Sequence, residues 1–326
     1  MKRSALVTGG AGFIGSHVVD LLSVRGWSVD VIDDLSTGRR ENVTGETRLF
    51  VYDVASDDAA RLAAEGRYDV VIHLAAQMDV RRSVVDPVFD ARVNVIGTLR
   101  ILEAVRARAA HARPRIVFAS SGGAVYGDLV PQPTRETEPK EPDSPYGIAK
   151  LASEYYFAYA ARVHGLDVVS LRFANVYGPR QDPHGEAGVV AIFCGRILDR
   201  SPLVIYGDGE QTRDYVHVSD VAEAIFAAAT SPLPTAKRVD DRAFNIGTGI
   251  GTSVRSLAAA LLQASGVALP TEAGDARPGE QRHSVLAADR ARSLLGWQPN
   301  VALNDGLKQT FSWFAARAPA RDRSRA

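Results

Sequence analysis

The chain has 326 residues, 46% of them hydrophobic, enough for one large core or two smaller domains. Lysine plus arginine equals aspartate plus glutamate at 38 each, so no basic excess exists to gather nucleic acid or anionic lipid. A single cysteine, Cys194, and 7 histidines without paired ligand spacing exclude an internal disulfide, offer no metal site and fit a reducing, cytoplasmic compartment.

From the N-terminus, the basic start at residues 1–4 leads into an apolar run that reaches only Val7 before a glycine-rich turn, too short for an export signal or a membrane span. Short Val- and Ile-rich runs recur at residues 5–7, 29–32, 49–51, 70–74, 116–118 and 168–171. They lack polar alternation, as strands buried on both faces do. Stretches with helical spacing separate them, for example residues 14–25, closed by Gly26, and 94–110. This alternation predicts an α/β fold with a Rossmann-type doubly wound parallel sheet and right-handed crossovers. After Asn175 the rhythm loosens into clusters such as Gly178-Pro179-Arg180, which predicts a smaller C-terminal α/β domain. The expected division is residues 1–175 and 176–326, with part of 208–245 packing back onto the first domain. The arginine-rich stretch 318–326 reads as a solvated end.

The first expected strand runs into Thr8-Gly9-Gly10-Ala11-Gly12-Phe13-Ile14-Gly15, a G-x-x-G-x-x-G turn that opens a helix. In such a turn Gly9 allows the tight bend, Gly12 lets the backbone approach a pyrophosphate and Gly15 lets helix and strand pack closely, while the helix N-terminus offers N–H dipoles. The turn alone is weak evidence. Asp33, however, ends the second strand about 20 residues on, where its carboxylate can accept both hydroxyls of an adenosine ribose. Together they indicate a dinucleotide, and the charge of Asp33 favours NAD over a 2′-phosphorylated form even with Arg39 and Arg40 nearby. Asp53 also follows a strand and reads either as an acceptor for the adenine amino group or as a turn aspartate.

Ser144-Pro145-Tyr146-Gly147-Ile148-Ala149-Lys150 reads as a helix start, with Ser144 as N-cap and Pro145 in the first helical position. Tyr146 and Lys150, one turn apart, then share a face. A tyrosine must lose about three pKa units, roughly 4 kcal/mol, to serve as a base near neutrality. One ammonium about 5 Å away supplies about 3 kcal/mol at an effective dielectric near 20, and an oxidised nicotinamide adds to it. Lys150 and the cofactor are therefore expected to make Tyr146 a base. His73 and His217 sit at strand ends and read as packed structural histidines, and Cys194 as a core side chain.

With these motifs in place the chain resembles the extended short-chain dehydrogenase/reductase family, and within it the UDP-glucose 4-epimerases. The resemblance is carried by TGGAGFIGSH, DDLSTGRREN, HLAAQ, SSGGAVYG, SPYGIAK, LRFANVYGPRQ, GDGEQTRDYVHVSD, FNIGTG, RPGE and LGWQP, which span nearly the whole chain. It implies an NAD site built from Gly9, Gly12, Phe13, Ile14, Gly15, Asp33, Asp34, Ser36, Thr37, Gly38, Asp53, Val54, Leu74, Ala75, Ala76, Gln77, Asn94, Ser120, Tyr146 and Lys150. It further implies that Tyr146 is the acid/base, that Lys150 tunes it and binds the nicotinamide ribose, and that a hydroxyl in SSGGAVYG holds the sugar oxygen. Many relatives carry Ser or Thr where Gly122 stands, so Ser121 is expected to supply that hydroxyl. Relatives that eliminate water carry an Asp-Glu pair before the valine of this motif, because moving a proton and a hydroxide needs an acid and a base. Gly123 and Ala124 occupy those positions, which disfavours 4,6-dehydration and leaves reversible oxidation at C4 through a 4-keto sugar.

For a UDP-sugar substrate the resemblance implies that Arg213 and Arg277 contact the diphosphate or ribose, that Asn175 contacts the diphosphate, and that Val189, Val190, Val204 and Tyr206 line the uridine pocket. These apolar residues could equally be plain core. Glu280 belongs to the same RPGE segment, and Ser284, four residues on, stands where a bulky side chain would exclude an N-acetyl group beside C2. The UDP-glucose/UDP-galactose pair and the N-acetylated pair are both expected to fit. Alternatives are a 4-epimerase of UDP-glucuronate or another nucleotide sugar and, more distantly, a non-catalytic NAD-binding sensor, which has no need to keep Ser121, Tyr146 and Lys150 together. The resemblance also implies a homodimer through the helices around residues 92–110 and 146–162, and no nucleic acid, membrane or metal partner is expected.

Overall fold

The computed structural model describes residues 2–183, 188–276 and 281–318. The first part of the chain runs β1 (Ser4–Thr8), α1 (Phe13–Val24), β2 (Ser28–Ile32), β3 (Arg48–Phe50), α2 (Asp57–Glu65), β4 (Val70–His73), α3 (Val80–Val85), α4 (Pro87–Ala91), α5 (Gly97–Arg106), β5 (Arg115–Ser121), α6 (Gly122–Val125), α7 (Pro145–His164) and β6 (Val168–Phe173). The rest runs β7 (Asn175–Tyr177), α8 (Val189–Leu198), β8 (Leu203–Tyr206), β9 (Thr212–His217), α9 (Val218–Thr230), β10 (Ala243–Ile246), β11 (Gly251–Ser253), α10 (Val254–Ser265), β12 (Thr271–Gly274), β13 (His283–Ser284) and α11 (Leu303–Arg317).

Seven described strands form one sheet in the order β10-β6-β5-β4-β1-β2-β3, every neighbouring pair parallel. The winding direction reverses between β1 and β4, which opens a crevice at their carboxyl ends. Thr8 and His73 are register partners there, so the segments that begin at Gly9 and Leu74 face each other.

Alternation along the strands feeds two cores. Ala5, Val7, Val29 and Ile72 pack with Val18 and Leu22 of α1 and Val221 and Ile225 of α9. Leu6, Ile32, Val71 and Phe118 face the other way, onto Ala59 of α2, Ile101 of α5 and Phe157 of α7. Both faces are covered, so β4, β6 and β10 are buried at every position.

Past Asn175 the chain does not stay in one place. Helix α9 and β10 return to the large sheet, as do Ala291, Leu295 and Trp297, whose indole N–H donates to the Asp220 carbonyl oxygen at 2.8 Å. The remainder is smaller: β7, β11 and β13 pair with β9, β8 pairs with β12, and α8, α10 and α11 close a core around Phe193, Leu203, Leu257 and Leu307. The expected helix over 94–110 begins earlier, because Asp86 accepts from Phe89 N–H at 3.0 Å and Pro87 supplies a ready first turn. It is also broken by one π-helical stretch, Arg92–Ile96, before α5 continues.

Candidate active site

Gly9 leaves β1 with φ +71, and a Cβ there would lie 2.7 Å from the backbone nitrogen of Ala75, so only glycine lets the turn nest against the segment after β4. A Cβ on Gly15 would fall 2.0 Å from the Gly9 carbonyl oxygen, and one on Gly10 would fall 2.7 Å from both Val31 methyls. Gly12 differs, since only the Gly9 oxygen comes near, at 3.3 Å. No side chain caps α1, so its first turn, from Phe13 through Gly15, presents an uncapped positive end beside that open face.

Asp33 is buried, and its two oxygens accept from Ala11 N–H and Leu35 N–H, each at 2.9 Å. Burial raises its pKa above the usual carboxylate value, while the Leu35 and Ala11 amides oppose the rise. A Cβ on Gly38 would stand 2.5 Å from Asp33 Oδ1, so the glycine keeps one edge of the carboxylate reachable. Asp34 closes an exposed turn by accepting from the backbone and hydroxyl of Ser36, next to exposed Thr37.

Asp53 accepts from Ala55 N–H at 2.8 Å, as a turn aspartate does, and pairs with Arg92 at 2.5 Å. Val54 beside it is buried, at the place a Cβ on Gly97 would reach.

Across the crevice, Leu74 and Ala75 donate their N–H groups to Thr8 Oγ1, each at 3.2 Å. That hydroxyl bonds His73 Nδ1 at 2.8 Å, and His73 Nε2 bonds Thr98 Oγ1 at 2.9 Å. Thr98 itself donates to the Asn94 carbonyl oxygen, so His73 Nε2 is the protonated nitrogen and Nδ1 the acceptor. Burial pulls this neutral imidazole down to about 3, with the Lys150 charge adding to the fall. The Asn94 side chain is spent on Gln77 and Asp90, and that of Gln77 on Asp79 and Asp90, so both shape the 74–77 segment rather than reach into the crevice.

Helix α7 starts as its sequence dictates, with Ser144 Oγ accepting from Gly147 N–H at 3.1 Å and Pro145 next. Gly147 admits close approach, since a Cβ there would meet the Ala124 carbonyl oxygen at 2.4 Å. Tyr146 is half-buried, with the Ser121 side chain close enough to its phenol to favour the ionised form. Lys150 is buried, donates to the Ala119 carbonyl oxygen at 2.9 Å, and stands 5.7 Å from the Tyr146 ring centre. The structure thus brings Ser121, Tyr146 and Lys150 together.

In the protein alone, burial moves the two groups in opposite directions. Burial pushes Tyr146 up to about 12, with the Ser121 side chain opposing and the Asp90 charge adding. Burial draws Lys150 down to about 8, opposed by Asp90 and Glu154, so it remains mostly charged at neutrality. The protein's own groups therefore keep the phenol protonated.

Two adjacent positions sort out the serine and glycine pairs of SSGGAVYG. The Ser120 hydroxyl donates its proton to Glu154 at 2.5 Å. A Cβ on Gly122 would lie 2.4 Å from Leu286 Cδ1, which disfavours a side chain at that position. Behind this turn lies a polar cluster that the motifs did not announce. Arg172 is fully buried and forks onto Glu154, with Nη2 to Oε2 at 2.6 Å. The signal was an arginine inside the wholly buried strand VVSLRF, since a charge in that setting needs a partner.

The substrate-side residues divide. Ser284 is the register partner of Arg213, and its Oγ would stand 3.8 Å from a Cβ on Gly123, so β13 carries it to the catalytic turn. Arg213 is half-buried on β9, and Asn175 is exposed on β7, beside Tyr215 of β9. Val204 and Tyr206 share one face of β8, over Gly274. Val190 is instead core, packed with Phe193, Cys194 and Ile197, while Val189 is half-buried at its rim. Arg277 and Glu280 lie outside the described residues. Asp214, which the motifs did not single out, is buried and accepts from Thr248, Gly249 and Leu286, tying the FNIGTG turn to the Leu286 segment. Among the described residues no group of acidic, histidine and cysteine side chains could hold a metal ion.

Comparison with known proteins agrees with this geometry. A model of the NAD dependent epimerase/dehydratase family matches residues 5–247. UDP-glucose 4-epimerase of Mycolicibacterium smegmatis is 47% identical over 95% of this chain and 97% of its own. Among solved structures, UDP-glucose 4-epimerase of Thermotoga maritima with UDP-glucose superposes with a TM-score of 0.90 at 44% identity, covering 96% of this chain and 99% of that one. The Thermus thermophilus UDP-glucose 4-epimerase complex with NAD gives 0.88 at 43% identity, covering 97% and 100%.

Proposed function

The chain belongs to the NAD dependent epimerase/dehydratase family, and from that premise we propose that it is an NAD-dependent 4-epimerase that interconverts UDP-glucose and UDP-galactose through a 4-keto sugar. The observation that carries the reading is the Ser121–Tyr146–Lys150 grouping beside a turn that bears Gly123 and Ala124 in place of a second acid/base pair.

The protein's features fit the dinucleotide: the uncapped start of α1, the open face at Gly12 and the reachable edge of Asp33 at Gly38 suit a pyrophosphate and an adenosine ribose. Bound NAD supplies a hydride acceptor and, in its oxidised form, a positive charge. Ser121 holds the sugar O4, and Tyr146 takes its proton as C4 is oxidised and returns one when C4 is reduced from the opposite face. Lys150, buried and charged, favours the phenolate at that moment. Between the two events the 4-keto sugar turns over while Arg213 and Asn175 keep the nucleotide end in place, a role that extends to Arg277 and Glu280. Ser284, small and close to Gly123, would obstruct an N-acetyl group less than a bulky side chain would, so the N-acetylated pair is the second substrate pair we propose.

Residues 1–175, with α9 and β10 added from later in the chain, form the NAD-binding domain, and most of 176–326 forms the nucleotide-sugar domain. The enzyme is a cytoplasmic homodimer in this reading. Ile148, Tyr155, Tyr156, Tyr159 and Val163 recur at helical spacing on α7 and are exposed, next to exposed Val84, Val85 and Val88 of α3 and α4. No described helix is long and apolar enough to cross a membrane.

Product analysis after incubation with UDP-galactose and no added NAD tests the function. UDP-glucose should appear. If it does not, and NAD addition changes nothing, the reading fails.

A further inference from the structure

The reaction needs Ser121 and Tyr146 in register, yet they stand on different elements, and the turn after Ser121 contains two adjacent glycines. Glycine leaves a backbone freer than any other residue, so something else must hold the turn. Upstream, Ser120 pairs in register with Arg172 of β6, and its hydroxyl donates to Glu154. Downstream, the Tyr126 hydroxyl accepts from Arg172 Nη1 and donates to Asn245 Oδ1, both at 2.8 Å. Glu154 lies one turn beyond Lys150 and two beyond Tyr146, on the same face of α7. It receives Arg172 Nε at 3.0 and 3.1 Å as well as Nη2 at 2.6 Å. One guanidinium therefore touches the catalytic helix on one side and the far end of the catalytic turn on the other.

Stability alone does not account for this pair. Both side chains are fully excluded from solvent, and a buried ion pair is commonly matched or bettered by apolar side chains of similar volume. What apolar side chains cannot provide is direction. A planar fork fixes two partners at set angles, and Arg172 is held in turn by Asp240 at 2.9 Å and the Glu136 carbonyl oxygen at 3.0 Å.

We propose that Arg172 is the joint that sets the Ser121 turn against the helix of Tyr146 and Lys150, with Glu154 and Tyr126 as its two arms. All three are positioning residues. The inference rests on the epimerase reading for its kinetic arm only; its second arm is backbone exchange, which needs no substrate. Tyr126→Phe keeps the ring and removes one hydroxyl. It should lower the melting temperature by a few degrees while the protein stays folded at assay temperature, leave NAD content and KM near wild type, lower kcat about tenfold or more, and speed hydrogen exchange in peptides covering residues 119–127. The double variant Glu154→Leu/Arg172→Met removes both charges together, and as a folded protein it should show the same loss of kcat. Wild-type exchange and kcat in Tyr126→Phe, or wild-type kcat in a folded double variant, would overturn the joint. Should the double variant not fold, Tyr126→Phe decides. A wild type inert on every nucleotide sugar would sink the functional reading while the exchange comparison still judged the joint.

Discussion

Gly122→Ser would restore the hydroxyl-bearing residue that many relatives carry, and the structure says that it should do harm. The new Cβ would lie 2.4, 2.9 and 3.2 Å from Cδ1, Cδ2 and Cγ of Leu286, against an ordinary carbon contact of about 3.5 to 4 Å. Leu286 is itself buried against Val125 and Tyr126, so it cannot swing away freely. Forcing extra atoms into a packed site costs about 1 to 3 kcal/mol, and a misplaced turn can cost about a hundredfold in rate. Urea denaturation and steady-state epimerisation would measure both. A double-mutant cycle with Leu286→Ala sharpens the test: the space left by the leucine should offset the serine, giving a favourable coupling of about 1 kcal/mol or more. A Gly122→Ser protein as stable and active as wild type, with additive energies in the cycle, would refute the idea that Leu286 dictates glycine there.

Tyr146→Phe should fold and retain NAD while epimerisation falls at least about a hundredfold; comparable activity would reopen the search for the base. Ser121→Ala should slow the reaction clearly more than Ser120→Ala, whose hydroxyl serves Glu154; equal kinetic effects would displace Ser121 from the sugar oxygen. Ser284→Tyr should abolish activity on UDP-N-acetylglucosamine and spare UDP-galactose, read by assaying both sugars on both proteins, and equal losses would remove Ser284 as the gate. His73 is held neutral in the fold at about 3 against 6.5 when unfolded, so between these values the unfolded chain binds more protons and stability falls as pH falls. The loss from this group should be about 2 kcal/mol between pH 7 and pH 5, and a folded His73→Gln variant with the same pH slope in denaturant titrations would contradict it.

What was legible in the sequence was what local spacing encodes. Gly15 reports a steric demand met within its own turn, and Asp33 reports the end of the next strand, whereas the segment that requires glycine at Gly9 lies after β4. Ser144, Pro145, Tyr146 and Lys150 report a helix start and a shared face. The losses came where a residue's role is set by a distant one. Nothing near Gly122 points to Leu286, and nothing near Asp53 points to Arg92. Ser120 and Ser121 are adjacent on a strand and must face opposite ways, but parity alone does not say which one meets Glu154. Val189 and Val190 pose the same problem on a helix, where one residue of rotation separates the rim from the core.

The protonation of Tyr146 follows from that distant packing and bears on how the reaction reverses. A phenol held near 12 is an acid, not a base, at neutral pH. Lys150, at 5.7 Å from the ring, contributes roughly 3 kcal/mol at an effective dielectric of 20, too little to bring it down unaided. In the proposed reaction Tyr146 would act as a base only while a further positive charge stands beside it, the condition under which C4 would be oxidised. When that charge is gone, burial again favours the protonated phenol, and the proton it holds is the one the 4-keto oxygen needs. On the proposed mechanism burial would bias Tyr146 toward the acid needed in the second half of the reaction, so that a single tyrosine could serve both directions without a second acid/base at Gly123 or Ala124.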